Sequence, residues 1–338
     1  MIGGIGLALD PIIGKSAGET VTFSTYGGSL DQTLRDAYLQ PFTDATGIKV
    51  QLTSNASLAT LKLQVQSGHP QLDLMVVVGS DYDTAVSQNL LEPVVFTHLD
   101  EMVSTMTKKY GFQYNTYAWG IVWSREGIGT APPPRTWADF WDMKRYPGQR
   151  SLYDNLSDGS TLEAALIADG VPLNKLYPLD VPRALRSLDK LGKSNIVWYS
   201  TNQQPIQQIT SGATVLATAF NGRVFLSNKN QGTHLEFVPN QSALGGSYLA
   251  VLKGAPNKDA AVQLLNSIAT NSQGCVKFAE ASRYGCVDKA AYRLMSSTLQ
   301  SQLPGSPQFA KLSFVKDTKW WSENLNATTQ QFKRWQLS

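Results

Sequence analysis

From residue 20 onward, short strand-like runs alternate along the chain with longer helix-like stretches. One of the strand-like runs is apolar without interruption, which is typical of a strand covered on both faces. The first part of this pattern contains strands at residues 21–25, 48–53 and 72–78 and helices at residues 29–46 and 58–66. This order predicts a βαβαβ unit with a parallel sheet.

A second α/β pattern occupies the middle of the chain. It contains strands at residues 151–153, 196–199, 215–220 and 235–239 and helices at residues 162–168, 181–191 and 205–209. Two further segments predict strands that cross between domains: the aromatic run at residues 110–123, and Gly245-Gly246-Ser247 with residues 248–252. A chain of 338 residues is long enough for two domains.

Several helix boundaries can be assigned from the sequence. Ser80 or Asp81 is the expected N-cap of a helix that follows residues 72–78, and Thr136 with Asp139 forms a capping box. A long helix is predicted at residues 259–281. A last amphipathic helix is predicted from the apolar residues Trp320, Trp321, Leu325, Phe332 and Trp335.

Composition excludes several classes of protein. Hydrophobic residues make up 42% of the chain and charged residues 16%, so disorder is not expected. The formal net charge is +3 and the basic residues are scattered, so no nucleic-acid partner is expected. No stretch beyond the N-terminus approaches the apolar length of a membrane span, and the protein is expected to be soluble.

The N-terminus and the two cysteines bear on the compartment. Residues 1–19 are mostly small and apolar but contain Asp10 and Lys15, and we interpret them as the remnant of a signal peptide or as a disordered tail. Cys275 and Cys286 lack the spacing of a structural zinc site. In an exported protein they would form one disulfide, which we favour, whereas in the cytosol they would be two thiols.

No pattern of catalytic or cofactor-binding residues is evident. His69, His98 and His234 lie far apart, and the first glycine turn, at residues 27–28, lacks a nucleotide-binding fingerprint. Ser-x-x-Lys occurs at residues 187–190 and 313–316 without an accompanying Lys-Thr-Gly. We therefore expect neither an enzyme nor a cofactor nor a bound metal.

Five short motifs together carry a resemblance to a known family. In order and spacing, the motifs resemble the periplasmic solute-binding proteins of ABC importers, in particular the branch with the spermidine/putrescine-binding proteins. They lie at residues 23–28, 72–77, 117–120, 136–141 and 220–223. The resemblance covers nearly the whole chain from about residue 20.

The resemblance implies a fold, a partner and a location. Family members are type II binding proteins, in which two α/β lobes, each a mostly parallel sheet flanked by helices, are joined by crossing strands. They close on a small solute in the periplasm and deliver it, as monomers, to a membrane permease. We place lobe 1 at residues 20–118 and 247–303 and lobe 2 at residues 119–246, with C-terminal helices at residues 304–338.

The resemblance also implies the residues that line the cleft between the lobes. They follow strand ends or lie in the crossing segments, and they are Ser24, Tyr26, Gly28, Ser80, Tyr82, Trp119 and Asn221. To these we add Asp81, Asp158, Arg223 and Ser247 as further candidates from their own chemistry and position. From the sequence alone, Tyr26 either contacts the solute or merely closes its turn. Asp158 and residues 200–202 suit helix capping as well as solute binding.

The expected solute follows from two differences from the polyamine binders of the family: an aspartate that this chain lacks and an arginine that it has. Polyamine binders of the family carry an aromatic-x-Asp pattern where this chain has Gly245-Gly246-Ser247. Arg223 stands at a strand-to-helix corner, where a guanidinium can bind a carboxylate through two parallel hydrogen bonds. We therefore favour a carboxylate-bearing solute: an amino acid such as a γ-amino acid, a dicarboxylate or an aromatic acid.

Other interpretations stay open at this point. Arg223 can instead pair with a surface acid, and Asp81, Asp154 or Asp158 can supply an ammonium partner for a zwitterion. A polyamine binder, a ferric-ion binder and a chemoreceptor ligand carrier are alternatives with the same fold. An α/β hydrolase or transferase is the competing class, and it requires a nucleophile with an oriented base.

Overall fold

The computed structural model describes residues 18–97 and 107–338, which form a mixed α/β fold. The predicted N-terminal remnant, up to residue 17, and His98 lie outside these residues. The strands are β1 (Thr20–Ser24), β2 (Lys49–Thr53), β3 (Leu74–Val78), β4 (Thr107–Lys108), β5 (Gly111–Ser124), β6 (Arg150–Tyr153), β7 (Ile196–Tyr199), β8 (Leu216–Phe220), β9 (Leu235–Phe237), β10 (Ala243–Val251) and β11 (Phe314–Val315).

Helices flank the strands on both sides. They are α1 (Ser29–Leu34), α2 (Gln40–Thr46), α3 (Leu58–Gln66), α4 (Gly79–Ser87), α5 (Arg125–Ile128), α6 (Trp137–Trp141), α7 (Thr161–Ala168), α8 (Val181–Leu191), α9 (Gln204–Thr210), α10 (Asn221–Gln231), α11 (Lys258–Thr270), α12 (Ser272–Ser282), α13 (Lys289–Leu294), α14 (Ser297–Gln302), α15 (Pro307–Ala310) and α16 (Thr318–Leu337). A π-helical segment, Arg35–Leu39, joins α1 to α2, so the helix predicted at residues 29–46 is continuous.

The main path of the sheet has the strand order β2-β1-β3-β10-β5-β8-β6-β7. Lobe 1 is built around β1, β2 and β3, in which β1 pairs in parallel with both neighbours. This confirms the predicted βαβαβ unit. Lobe 2 is built around β6, β7 and β8, which are also parallel.

The two crossing strands β5 and β10 run antiparallel to each other in the middle of the sheet. β5 pairs with β10 through its first half and with β8 through its second half, so one strand connects the two lobes. β10 begins at Ala243, earlier than the strand predicted from residue 248, because Gly245 and Gly246 pair with Tyr117 and Thr116. The residue boundaries of the lobes given above stay a prediction.

Three helix boundaries can be compared with the prediction. The capping box of Thr136 and Asp139 is present at the start of α6. The N-cap prediction for α4 was wrong: the helix begins at Gly79 directly after β3, with Val78 as its N-cap, so Ser80 and Asp81 lie in its first turn. The helix predicted at residues 259–281 is interrupted at Asn271, whose side chain caps α12 by accepting a hydrogen bond from the Gly274 N–H at 2.7 Å.

The two cysteines are buried in a small apolar cluster with residues of α12, α13 and α14. Cys275 and Cys286 are joined by a disulfide with their Cα atoms 5.9 Å apart. Helix α16 packs on both lobes: it lies against α4 of lobe 1, and in lobe 2 the Trp321 indole N–H donates to Glu163 at 2.7 Å and the Phe332 ring packs against Trp198. None of the helices in the described residues is long and apolar enough to span a membrane.

Candidate functional site

A narrow cavity lies between the two lobes, and we call it the interlobe cavity. Its walls come from the first turn of lobe 1, from both crossing strands and from loops of lobe 2, and they are aromatic and polar. They are formed by Tyr26, Leu30, Tyr114, Asn115, Tyr117, Asp158, Asn202, Phe220, Arg223, Ser247 and Tyr284. Its volume is about 30 Å³, roughly that of one water molecule, so the two lobes are close together here.

The glycine turn after β1 forms one wall. Gly27 and Gly28 have φ angles of 71° and 78°, in the left-handed region that favours glycine. A Cβ on Gly27 would lie 2.7 Å from the Cβ of Ser54, and a Cβ on Gly28 would lie 3.0 Å from Nη1 of Arg223. The turn therefore brings backbone close to the guanidinium while Tyr26 faces the cavity.

Arg223 lies in the first turn of α10, immediately after β8. Its side chain is buried, and both Nη1 and Nη2 donate to the single carbonyl oxygen of Gly27 at 3.3 Å. Its Nε is buried without a hydrogen-bond partner. No ion pair is present for Arg223 in the described part of the chain, which argues against the interpretation that it pairs with a surface acid.

Asp158 provides a negative charge on the same cavity. The hydroxyl groups of Tyr117 and Tyr153 donate to its two carboxylate oxygens at 3.5 and 3.3 Å, both longer than the usual distance for such a bond. Burial raises the pKa of Asp158 to about 6, although Lys316, these two tyrosines and Arg223 act in the opposite direction. The carboxylate is therefore buried, loosely hydrogen-bonded and well suited to accept a cation.

A second buried acid lies in lobe 1. Asp81 has its Oδ1 atom without a hydrogen-bond partner, and burial together with Asp158 raises its pKa to about 6. Burial and the two acids Asp158 and Asp81 also raise the pKa of Tyr26 above its ordinary value. The tyrosines around Asp158 therefore stay protonated and act as hydrogen-bond donors.

The loop that carries Asp158 is fixed by two residues from outside lobe 2's sheet. Ser80 donates from its hydroxyl to the carbonyl oxygen of Ser157 at 2.7 Å. Lys316, which follows β11, is buried and donates from Nζ to the carbonyl oxygens of Leu156 at 2.7 Å, Ser157 at 3.0 Å and Gly159 at 2.5 Å. Burial lowers the pKa of Lys316, and Glu163, Asp158 and Asp81 oppose that shift.

The structure brings together part of the predicted cleft. Tyr26, Asp158, Arg223 and Ser247 line the interlobe cavity, and Gly28 lies against Arg223. Ser80 joins the lobes next to Asp158. Asp154 instead lies at the surface with Lys333 at 3.5 Å.

Four predicted residues lie away from the cavity walls. Ser24 donates to Asn55 at 2.8 Å. Tyr82 stacks on Tyr248 in the core of lobe 1, with ring centroids 4.2 Å apart. Trp119 donates to the hydroxyl of Tyr199 at 3.0 Å and stacks on Trp137.

Asn221 is the fourth of these residues, and it connects backbone segments. Its side chain accepts from the Ala118 N–H at 3.0 Å and donates to the Arg283 carbonyl oxygen at 2.6 Å. It borders a wider groove of about 570 Å³ that also includes Phe225, Phe237 and Phe309. The interlobe cavity is the stronger candidate because it holds buried charges that lack full hydrogen bonding.

Several cavity residues were missed by the sequence analysis. Tyr117 and Asn115 are two positions apart on β5, and this period-2 spacing is a signal that could have identified them. Asn202 was not missed: the sequence predicted it either to cap a helix or to bind the solute, and its Oδ1 atom is buried without a partner on the cavity wall. Tyr284 follows the end of α12 and had no local signal; burial raises the pKa of its hydroxyl to about 12, and the nearby Arg223 acts in the opposite direction.

The histidines and acids that the structure describes do not form a metal site. Within residues 18–97 and 107–338 no group of three or more His, Cys, Asp or Glu side chains is placed to hold a metal ion. The chemistry of the interlobe cavity is that of a guanidinium, a carboxylate and several hydroxyl and amide groups. Such a set can bind a small molecule with both a negative and a positive end.

Residues 37–304 match the family model of the bacterial extracellular solute-binding proteins. The chain is 31% identical over 330 residues to the gamma-aminobutyric acid-binding protein of Pseudomonas aeruginosa, covering 95% of this chain and 92% of the relative. The family and this relative are described as binding proteins and not as enzymes.

Solved structures give the same fold. The binding protein AgtB of Agrobacterium tumefaciens R10, in complex with agropinic acid, is 27% identical, with a TM-score of 0.87 and coverage of 95% of this chain and 99% of AgtB. The spermidine/putrescine-binding protein PotD of Streptococcus pneumoniae is 19% identical, with a TM-score of 0.71 and coverage of 94% and 99%. The likeness to PotD extends to the fold alone.

Proposed function

This chain belongs to the bacterial extracellular solute-binding protein family, and from that premise we propose that it captures a small ω-amino acid such as γ-aminobutyrate. In this proposal the two lobes close on the solute in the periplasm. The protein then delivers the solute, as a monomer, to the permease of an ABC importer. Closure is driven by the solute's higher affinity for the closed form.

The observation that carries the proposal is the incomplete hydrogen bonding of the buried Arg223 guanidinium. Its guanidinium is buried, yet its Nη atoms share one carbonyl oxygen at 3.3 Å and its Nε has no partner. A buried donor without an acceptor costs free energy, and a carboxylate with two oxygens supplies the missing acceptors. Arg223 is therefore assigned to the carboxylate end of the solute.

Asp158 is assigned to the ammonium end. It lines the same cavity as Arg223, and its present hydrogen bonds at 3.3 and 3.5 Å are weak. The unpartnered Oδ1 of Asn202 adds a neutral acceptor on that wall. A cation next to Asp158 would satisfy both groups and offset the cost of burying the carboxylate.

The same charges disfavour the other solute classes. A polyamine would place ammonium groups in a narrow cavity that already contains a guanidinium, and a dicarboxylate would meet Asp158. The γ-aminobutyric acid relative, at 31% identity, supports the choice of a short amino acid.

A ligand screen tests this proposal. We expect γ-aminobutyrate to raise the melting temperature of the protein, since a solute that binds only the folded state stabilises it by mass action. Putrescine and succinate are similar in size to γ-aminobutyrate, but putrescine lacks the carboxylate and succinate lacks the ammonium group. Calorimetric titration should give at least tenfold weaker binding for both.

Arg223→Met is the decisive variant, because methionine retains much of the side-chain volume and removes the charge. Losing one partner of a buried charge pair typically costs roughly 2–5 kcal/mol, or about thirtyfold or more in affinity. Arg135→Met, at an exposed arginine, is the matched control and should bind as the wild type does. Equal affinity of Arg223→Met and wild type for γ-aminobutyrate would refute the assignment.

A further inference from the structure

Tyr117 lies between the interlobe cavity and a second, larger cavity. The second cavity has a volume of about 330 Å³, and its walls include Ser80, Gln113, Ser157, Gly245 and Gly246. Among the described residues, Tyr117 is the one that borders both cavities. The phenol ring therefore separates a small space that contains Arg223 and Asp158 from a wider, mainly apolar space.

The ring is held in this position from three sides. A Cβ on Gly245 would lie 2.6 Å from Cε2 of Tyr117 and 2.7 Å from its hydroxyl oxygen, so the ring lies directly on the glycine. The edge of Phe220 packs against it, with ring centroids 5.0 Å apart. Its hydroxyl lies 3.5 Å from a carboxylate oxygen of Asp158. The glycine thus provides the room that the ring needs.

We propose that Tyr117 sets the maximum chain length of the solute. This inference rests on the proposed function, in which Arg223 and Asp158 bind the two ends of an ω-amino acid. With the carboxylate at Arg223, each added methylene moves the ammonium group farther from it, toward or past Asp158. The Tyr117 ring occupies the space into which a longer solute would extend, and the second cavity lies beyond it.

The physical basis is steric exclusion by the Tyr117 ring. A rigid aromatic ring packed on backbone and on a second ring does not yield to an extra methylene without strain. If the ring were removed, the two cavities would be continuous. The added methylenes of a longer solute would then extend into the mainly apolar second cavity, whose walls also include Lys316.

Calorimetric titration with a chain-length series tests the inference. The probes are β-alanine, γ-aminobutyrate, 5-aminopentanoate and 6-aminohexanoate, and the variants are Tyr117→Ala and the matched Tyr117→Phe. We expect the ratio of the dissociation constants for 6-aminohexanoate and γ-aminobutyrate to fall at least tenfold in Tyr117→Ala. Tyr117→Phe retains the ring and should keep the wild-type ratio, even if its affinity falls.

Gly245→Ala gives an independent test if Tyr117→Ala does not fold. The added methyl group must displace the ring away from the second cavity and into the interlobe cavity, so all four probes should bind at least fivefold more weakly. The φ angle of Gly245 lies outside the left-handed region, so alanine is compatible with the backbone. In a protein that already carries Tyr117→Leu, Gly245→Ala should change the affinity less than twofold, because the added methyl group no longer collides with the aromatic ring.

The outcomes separate the two proposals. Suppose that the wild type binds γ-aminobutyrate and that the ratio of the dissociation constants for 6-aminohexanoate and γ-aminobutyrate is the same in Tyr117→Ala. The role of Tyr117 is then refuted, while the proposed function stands. An undiminished affinity of Gly245→Ala would also refute that role. If the wild type binds none of the four probes, the proposed function fails and the inference fails with it.

Discussion

Ser80 and Ser157 connect the two lobes through one hydrogen bond, in which the Ser80 hydroxyl donates to the Ser157 carbonyl oxygen at 2.7 Å. Ser80 lies in the first turn of α4 in lobe 1, and Ser157 lies in the lobe 2 loop that carries Asp158. The bond exists only when the lobes are close together. It therefore stabilises the closed form relative to the open form.

Replacing Ser80 by alanine should weaken solute binding without abolishing it. A hydrogen bond of this kind contributes about 0.5–1.5 kcal/mol net, so we expect an affinity about two- to tenfold lower. Calorimetry measures the affinity, and small-angle scattering without solute should show a larger open fraction.

Ser87→Ala is the matched control for this prediction. Its hydroxyl donates to the Thr84 carbonyl oxygen at 2.9 Å within the same helix and makes no contact between lobes. A loss of affinity of the same size in both variants would contradict the assigned role of Ser80.

The sequence predicted the site best where local chain geometry determines the position of a side chain. Arg223 was identified because a strand that ends in a helix places the first helical residues at the carboxyl edge of the sheet. Tyr26 followed from the glycines after β1 for the same reason. These positions depend on neighbouring residues and hardly on distant ones.

The sequence was less informative where the packing of distant segments determines the position of a side chain. Trp119 lies on a crossing strand, as predicted, but the rings of Trp137 and Tyr199 from lobe 2 cover it. Tyr117, two residues earlier, faces the cavity because Gly245 of β10 provides room for its ring. Whether a side chain of β5 is covered or faces the cavity depends on the register between β5 and β10, and no local pattern specifies that register.

Solute affinity should decrease as the pH falls below about 6. The pKa of Asp158 is about 6 in the protein without solute, and a bound ammonium group favours the ionised form. Protonation therefore competes with binding, and affinity for γ-aminobutyrate should fall up to about tenfold per pH unit below that value. Titrations between pH 7.5 and pH 5 measure the dependence, which should be absent in Asp158→Asn.

Stability of the protein without solute should change with pH in the opposite direction. The folded pKa of Asp158 lies above its ordinary value of 3.8, so the folded state binds more protons between these two values. The stabilisation that comes from the preference of the folded state for protonated Asp158 is fully present below pH 3.8, and it is lost as the pH rises through about 6. Thermal melts of the wild type and Asp158→Asn should therefore differ most above pH 6, with the variant more stable. A wild type whose affinity is constant down to pH 5 would contradict the role of Asp158.

Lys316 should act on the solute through the position and charge of Asp158. Lys316→Met retains the apolar stem but leaves three carbonyl oxygens of the Asp158 loop without their donor. We expect the free energy of unfolding to fall by about 2 kcal/mol, because hydrogen bonds to a charged group are lost.

A purely structural lysine would lower affinity equally at every pH, whereas loss of a positive charge near Asp158 should also raise the pKa of that acid. The pH at which affinity for γ-aminobutyrate is half lost should therefore move upward in Lys316→Met. Lys319→Met, at an exposed lysine in the first turn of α16, should leave both the pH midpoint and the stability as in the wild type. If the midpoint is the same in Lys316→Met and wild type, Lys316 supports the loop without influencing the charge that binds the solute.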